Sequence, residues 1–283
     1  MVATDTSLIS QLWRYPFKSM GGECISRTVI SQTGVLGDRR WAVRKVDQTG
    51  NAKQFPSLMN MMAHYPSEPT PKKIPAPVLT LPDGSTVIAD HTSAASRLSE
   101  VLDSEISVEM VRPASDLEFY RRMSKRSLDE TRAILGLVDD EPLPDVSGFP
   151  MSVATFQNPP GTFFDCFSLL LMTDASLKTL QSAAPESEID VRRFRPNLVL
   201  ETSATGYPEQ SWAGRRIRIG SCELQLTVPC PRCVMTTHGF ADLPRDTSIM
   251  RTLVRECRHE LGIYADVITP GEIRLGDTLT WMD

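Results

Sequence analysis

Two cysteines three apart, Cys230 and Cys233, stand in the run Val228-Pro229-Cys230-Pro231-Arg232-Cys233-Val234-Met235-Thr236-Thr237. Prolines flank the first thiol and β-branched residues follow the second, so the turn is stiff. Arg232 sets a positive charge between them. A thiol in such a setting suits metal ligation or thiolate chemistry. Four readings stand side by side. Zinc needs about four ligands, and Cys222, Cys230, Cys233 and His238 supply a Cys3His set on paper, although Cys222 lies on an alternating strand and there is no second Cys-x-x-Cys. A thioredoxin-like dithiol would open a helix, whereas Val-Met-Thr-Thr-His-Gly reads as β and then a turn. Two buried cysteines packing as small hydrophobes is the third reading. One thiolate holding a soft metal brought in by a cofactor is the fourth.

Four cationic segments lie far from this turn. Tyr15-Pro16-Phe17-Lys18-Ser19 ends an apolar run with a lysine and a hydroxyl. Gly37-Asp38-Arg39-Arg40-Trp41 puts two arginines after a tight turn. Arg192-Arg193-Phe194-Arg195-Pro196-Asn197 gives three arginines and an amide before a strand, and Arg215, Arg216 and Arg218 form the fourth group. Arginine forks and backbone N–H groups recognise phosphate, so such groups at strand ends fit an anionic small molecule. They equally fit solvated strand ends with local ion pairs such as Asp38 with Arg39. His238, after two threonines and before Gly239, could face a site or be a hydrogen-bonding structural residue. Asp165, before the apolar run Leu169 to Met172, could orient a cofactor or cap a turn. There is no Walker loop, no dinucleotide-binding glycine motif after a strand and no nucleophile elbow.

The elements that must position these residues are short. Ser7 to Tyr15, Cys24 to Ile30 and Trp41 to Val46 read as strands, the last closed by the turn Asp47-Gln48-Thr49-Gly50. Val78 to Leu81 and Ser85 to Ile88 read as a hairpin about Pro82-Asp83-Gly84. Thr92 or Ser93 caps a helix carrying Leu98, Val101 and Leu102. Asp139 to Asp145 is an acidic, proline-rich loop. A helix over Thr173 to Ala183 precedes strands at Leu198 to Glu201, Arg216 to Ile219 and Glu223 to Val228. A last helix begins at Asp246 or Thr247 and is stopped by Gly262, with Ile249, Met250, Leu253, Val254, Cys257 and Leu261 on one face. Tyr264 to Ile268, a Pro270-Gly271 turn and a strand up to Trp281 close the chain. Many short strands and few helices predict a mainly β fold, barrel-like with α insertions.

The 283 residues, 41% hydrophobic and 23% charged, describe a globular protein able to bury a sizeable core. A net charge of -5 argues against nonspecific nucleic-acid binding. No apolar run approaches the roughly 18 residues of a membrane span. The N-terminal Met-Val-Ala-Thr-Asp-Thr-Ser lacks the basic and apolar regions of a signal peptide. Six cysteines are too sparse for a disulfide scaffold, and a reduced, cytoplasmic setting is expected.

Taken together, the motifs resemble the MOSC proteins, named for the molybdenum cofactor sulfurase C-terminal domain. The matching residues are Tyr15 to Ser19, Gly37 to Trp41, Thr173-Asp174-Ala175-Ser176-Leu177, Arg193 to Asn197, Pro229 to Cys233, and the closing Pro270-Gly271-Glu272-Ile273-Arg274-Leu275-Gly276-Asp277. The likeness spans nearly the whole chain and is nearest to bacterial relatives of the mitochondrial amidoxime-reducing component. It implies an N-terminal β-barrel-like region over 1–115 packed against a MOSC β-barrel over 116–283. It also implies a molybdopterin-type molybdenum cofactor with Cys233 as the protein's molybdenum ligand. Lys18, Ser19 and Arg39 match residues holding the anionic part of the cofactor, and Arg195 and Asn197 match residues at its pterin side. Asp165, Cys166 and Phe167 match a further cofactor-binding loop at the pocket, with Cys166-Phe167 in place of small polar residues. Eukaryotic relatives carry Val-Asp where this chain has His238-Gly239.

The resemblance therefore implies an oxidoreductase acting on small N-hydroxylated or N-oxide compounds. Thr236, Thr237 and His238 are the expected proton donors near the metal. With no ferredoxin-like Cys-x4-Cys-x2-Cys run, electrons are expected from a separate iron–sulfur, flavin or haem protein. A non-catalytic cofactor carrier, or a sulfur-transfer protein using Cys233 or Cys230, would use the same motifs.

Overall fold

Apolar runs from both ends of the chain meet in one curled, eight-stranded sheet of the computed structural model, which describes residues 7–123 and 126–282. Its strands are β1 (Leu8–Arg14), β2 (Glu23–Ile25), β3 (Leu169–Thr173), β4 (Leu198–Glu201), β5 (Arg216–Ile219), β6 (Cys222–Pro231), β7 (Glu260–Thr269) and β8 (Leu279–Trp281), in the order β8-β5-β6-β7-β3-β4-β1-β2. All neighbours are antiparallel except β3 and β4. Apart from Ser7, the segment read against a signal peptide lies outside the described residues.

Alternating side chains of these strands, among them Ile9, Leu12, Leu198, Leu200, Ile217, Leu224, Leu226 and Ile263, fill the principal core. Strand β3 is the exception, because all five of its residues are buried. Its Met172 meets a second cluster formed by Leu180 of helix α1 (Asp174–Ala183) and Ile249, Met250 and Leu253 of helix α2 (Ser248–Cys257). Covering on both faces explains why Leu169 to Met172 reads as an unbroken apolar run. Each such buried large side chain contributes about 1.5–3 kcal/mol, and the stripe on α2 makes that helix the clamp of this layer. The first hundred residues enclose a separate core of Phe17, Met20, Val43, Leu58, Met61, Leu79 and Leu98. Three three-stranded sheets complete the mainly β fold with α insertions that the strand-rich sequence predicts.

Several local expectations are corrected. The alternating stretch from Cys24 to Ile30 is two strands, since Ser26 separates β2 from Arg27–Ser31, which pairs in another sheet. Gly262 does not stop α2. Arg258 ends that helix in the left-handed region, and Gly262, at φ +83°, lies inside β7, where a Cβ would meet the Leu171 carbonyl at 2.8 Å. Gly271–Arg274 is a strand paired with Arg27–Ser31 rather than part of a turn. Val234–Thr237, read as β-like, is a single 3-10 turn, because the Thr236 and His238 N–H groups bond back to Cys233 and Met235.

Candidate functional site

Strand β6 carries Cys230 to its end, and the chain then turns away through Arg232 and Cys233. Cys233 has extended backbone and begins the 3-10 turn, its carbonyl accepting from the Thr236 hydroxyl at 3.1 Å. The two thiols therefore differ. Cys230 is 3% exposed, receives Arg232 Nη1 at 3.0 Å and lies within hydrogen-bond reach of the Tyr264 hydroxyl. Burial pushes its thiol up, against the pull of Arg232. Cys233 is half-buried and opens onto a cleft of about 840 Å³. Both are free. The zinc set is not assembled. Cys222 lies eight residues before Cys230 on the same strand, roughly 25 Å along an extended chain. Among the described residues no group of three or more His, Cys, Asp or Glu is placed to hold a metal.

The cationic motifs converge on the cleft from separate loops. Lys18, Ser19, Arg39, Asp165, Cys166, Phe167, Arg195, Asn197, Cys233 and Thr236 all line it. Ser19, Arg39 and Arg195 sit at φ +70°, +46° and +56°. Non-glycine residues in this left-handed region cost of order 1–3 kcal/mol each and gather where function imposes the backbone. Asp38, 3% exposed, organises the loops. It accepts from the Tyr15 N–H at 2.6 Å and the Asn197 amide at 3.1 Å, and it pairs with the Arg39 guanidinium. The remaining Asn197 bonds are also internal, to Trp13 and Leu170, so this residue positions its neighbours. Arg39 and Arg195 both stack over the Tyr15 ring, at 5.0 and 4.2 Å. Arg195 donates to the Met20 carbonyl at 2.5 Å, while its Nη2 is buried without a partner. Burial, aided by repulsion from Arg39, draws its guanidinium down to about 10.

Asp165 bridges Lys18 at 2.5 Å and Lys53 at 3.0 Å. Enclosure in the cleft opposes charge on Asp165, but the two ammonium groups prevail and hold its carboxyl well below the usual range. In all, eight lysine and arginine side chains line the cleft against two carboxylates, in a chain whose net charge is -5.

Other expected residues lie elsewhere. Thr237 and His238 do not line the cleft. The Thr237 hydroxyl donates to the Val234 carbonyl, and His238 Nε2 is buried without a partner. Arg193 reaches the wall but its guanidinium is occupied by the Glu188, Thr236, His238 and Pro244 carbonyls, which fixes the cysteine-bearing turn. Arg192 pairs with Asp190 and Asp242. On β5, Arg218 pairs with Glu223, and neighbouring Arg215 stacks on Trp281 at 3.6 Å; none of the Arg215–Arg218 group lines the cleft.

Two contributors were not singled out from sequence. Lys53 follows the Asp47–Gly50 turn, and a segment over 126–157, together with Arg122 and Met123, forms an outer wall; Arg232, already noted between the cysteines, also lines the cleft. Within that segment a helix, Leu128–Leu135, is framed by a Ser127/Glu130 capping box and by Gly136 at φ +71°. The capping box was legible in Ser-x-x-Glu. The acidic loop that follows is anchored by Arg251 on Glu141 and Gly136, and by the His259 ring against the Pro142 carbonyl at 3.1 Å.

Comparison with known proteins places these features in context. The MOSC domain matches residues 158–280, and the MOSC N-terminal beta barrel domain matches residues 6–110. Mitochondrial amidoxime reducing component 2 of Homo sapiens is 26% identical over 95% of this chain and 82% of its own length. Mitochondrial amidoxime-reducing component 1 of Mus musculus is 26% identical over 95% and 80%. Molybdenum cofactor sulfurase 3 of Aedes aegypti is 32% identical over 36% of this chain and 14% of its own length.

Proposed function

Because the chain belongs to the MOSC-domain family, with both the MOSC domain and its N-terminal β-barrel partner, we propose that it is a molybdenum-cofactor-dependent reductase of N-hydroxylated and N-oxide compounds, supplied with electrons by a separate iron–sulfur, flavin or haem protein. The observation that carries this reading is the meeting, in one cleft, of an open thiol at Cys233 and a large excess of cationic side chains. The amidoxime-reducing names of relatives that span nearly the whole chain support the reaction class. Its six free cysteines suit a reducing, cytoplasmic setting.

The residues fit the cofactor. Burying a phosphate dianion unpaired is prohibitive, so several donors are needed. Arg195 Nη2 is a buried donor with no protein partner, held beside Arg39. Lys18, Arg39 and Arg195 would hold the anionic end, with Asp38 and Asn197 fixing Arg39 and its loop. Cys233 would be the single protein ligand of the metal. When bound, the cofactor would supply a two-electron redox centre.

Reduction of R–NHOH to R–NH2 and water consumes two electrons and two protons. Thr236 is the member of the expected donor set on the cleft wall, but its hydroxyl proton is committed to the Cys233 carbonyl. The Lys18–Asp165–Lys53 cluster lines the same cleft, and Lys18, whose ammonium is lowered by burial, would be an alternative proton donor. The test is turnover of benzamidoxime by metal-loaded protein with reduced viologen as donor. Benzamidine formed in proportion to viologen oxidised is expected. Stoichiometric molybdenum without turnover would instead identify a cofactor carrier, and a dithiothreitol-labile gain of one sulfur on Cys233 or Cys230 would identify a sulfur-transfer protein.

A further inference from the structure

One wall of the cleft is aromatic. Phe167, on the loop before β3, and Tyr264, on β7, stack with ring centroids 4.7 Å apart and planes 24° apart. Phe149, from the outer segment, stands edge-on to both, at 5.5 Å and 70° from Phe167 and at 6.3 Å and 90° from Tyr264. All three line the cleft that Cys233 opens onto, and the neighbouring Val146 extends the apolar surface.

Phe149 is held differently from its two partners. Phe167 is buried, and Tyr264 belongs to a ten-residue strand. Phe149 is half-buried on a stretch whose backbone bond from its own N–H goes only to the Val146 carbonyl, three residues back. Its neighbour Gly148 sits so close to β6 that a Cβ there would come within 2.6 Å of Val228. Phe149 lies outside every strand ladder, so its ring is held by side-chain packing rather than by sheet hydrogen bonds and can be exchanged for another side chain without disturbing a strand.

The charges facing this wall restrict what it accepts. The two cleft carboxylates are both engaged, Asp165 by two lysines and Glu130 by the Ser127 N–H at 2.8 Å. A cationic body would meet eight lysine and arginine side chains against these two carboxylates. A flat, uncharged body would find stacked faces and a ring edge, the arrangement aromatic groups prefer.

We propose that Phe149, Phe167 and Tyr264 form the subsite for the body of the substrate, selecting uncharged planar aromatic compounds, with Phe149 as the specificity-determining residue. The proposal rests on the reductase reading for the reacting head group only.

Binding of benzamide and acetamide, which differ by the ring alone, tests the subsite without any turnover, by ligand-observed NMR on the purified full chain. Wild type is expected to prefer benzamide, and Phe149→Ala to reduce that preference about three- to tenfold with acetamide unchanged. Phe149→Leu, which keeps apolar bulk, should fall between them and guards against a fold defect. Benzamidinium should bind more weakly than benzamide. No preference for benzamide in wild type, or a preference unchanged in both variants, overturns the proposal. Turnover of benzamidoxime and acetamidoxime then separates the two claims. If benzamide preference holds and neither oxime is reduced, the subsite stands and the reductase reading falls. If both oximes are reduced equally well and benzamide shows no preference, the reductase reading stands and the subsite falls.

Discussion

Replacing Arg195 by methionine should separate ligand holding from folding. Arg195 is 9% exposed, and burial with the nearby Arg39 draws its guanidinium down to about 10. Keeping that charge in place without a ligand costs roughly 3 kcal/mol. Two contacts offset it: the charged hydrogen bond to the Met20 carbonyl, about 1.5–3 kcal/mol, and the stacking on Tyr15, about 1 kcal/mol. Methionine keeps most of the volume, and the positive φ at this position is common to both residues. The opposing effects nearly cancel, so cofactor-free Arg195→Met should lie within about 1.5 kcal/mol of wild type, or roughly 5 °C in Tm. Holding an anionic cofactor is another matter. Losing one buried, charge-assisted partner costs about 2–4 kcal/mol, or roughly thirty- to several-hundredfold in retention. The assay is paired: thermal melting of the cofactor-free proteins, and molybdenum content after dialysis of the loaded ones. A fall in Tm above about 10 °C without cofactor, or undiminished molybdenum retention, would refute the reasoning.

Two further outcomes follow from groups away from Arg195. Glu209 is fully buried, with Oε2 accepting from Thr173 and Ser176, and burial raises its carboxyl above the ordinary value. A raised folded-state pKa means that its contribution to stability is fully present below the unfolded value and is lost as pH rises through the folded one. Glu209→Gln cannot titrate, so the fall in Tm as pH rises above the ordinary carboxylate range should shrink; an unchanged pH profile would refute this reading. His238 lies off the cleft wall, so His238→Asn should keep metal content and benzamidoxime turnover within about twofold. A loss of turnover beyond tenfold at unchanged Tm and metal content would restore His238 as a proton donor.

The sequence showed the parts of this protein whose signals are local. Leu169 to Met172 as an apolar run, the α2 stripe from Ile249 to Cys257, and the hairpin about Pro82-Asp83-Gly84 all read directly. Long-range pairing set the rest. Gly271–Arg274 carries no strong strand signal and exists because Arg27–Ser31 lies beside it. Gly262 looked like a helix stop, yet its freedom serves a close approach to the Leu171 carbonyl. At the site, Lys18, Arg39, Arg195 and Cys233 were legible as chemistry-bearing types in stiff loops, but only the family resemblance gathered them. Lys53 escaped because its meaning lies in Asp165, 112 residues away. Thr237 and His238 lie off the cleft wall while Met235 and Thr236 lie on it, because the 3-10 turn after Cys233 distributes successive side chains around its axis.

Molybdenum per chain, measured by mass spectrometry on wild type and Cys233→Ala made in a host that synthesises the cofactor, tests the central claim most directly. Cys233 is half-buried and supports the following turn through its carbonyl, so alanine should leave the fold and Tm in place. The account predicts close to one molybdenum per wild-type chain and almost none in Cys233→Ala. Equal molybdenum in the two proteins, or none in wild type, would contradict it.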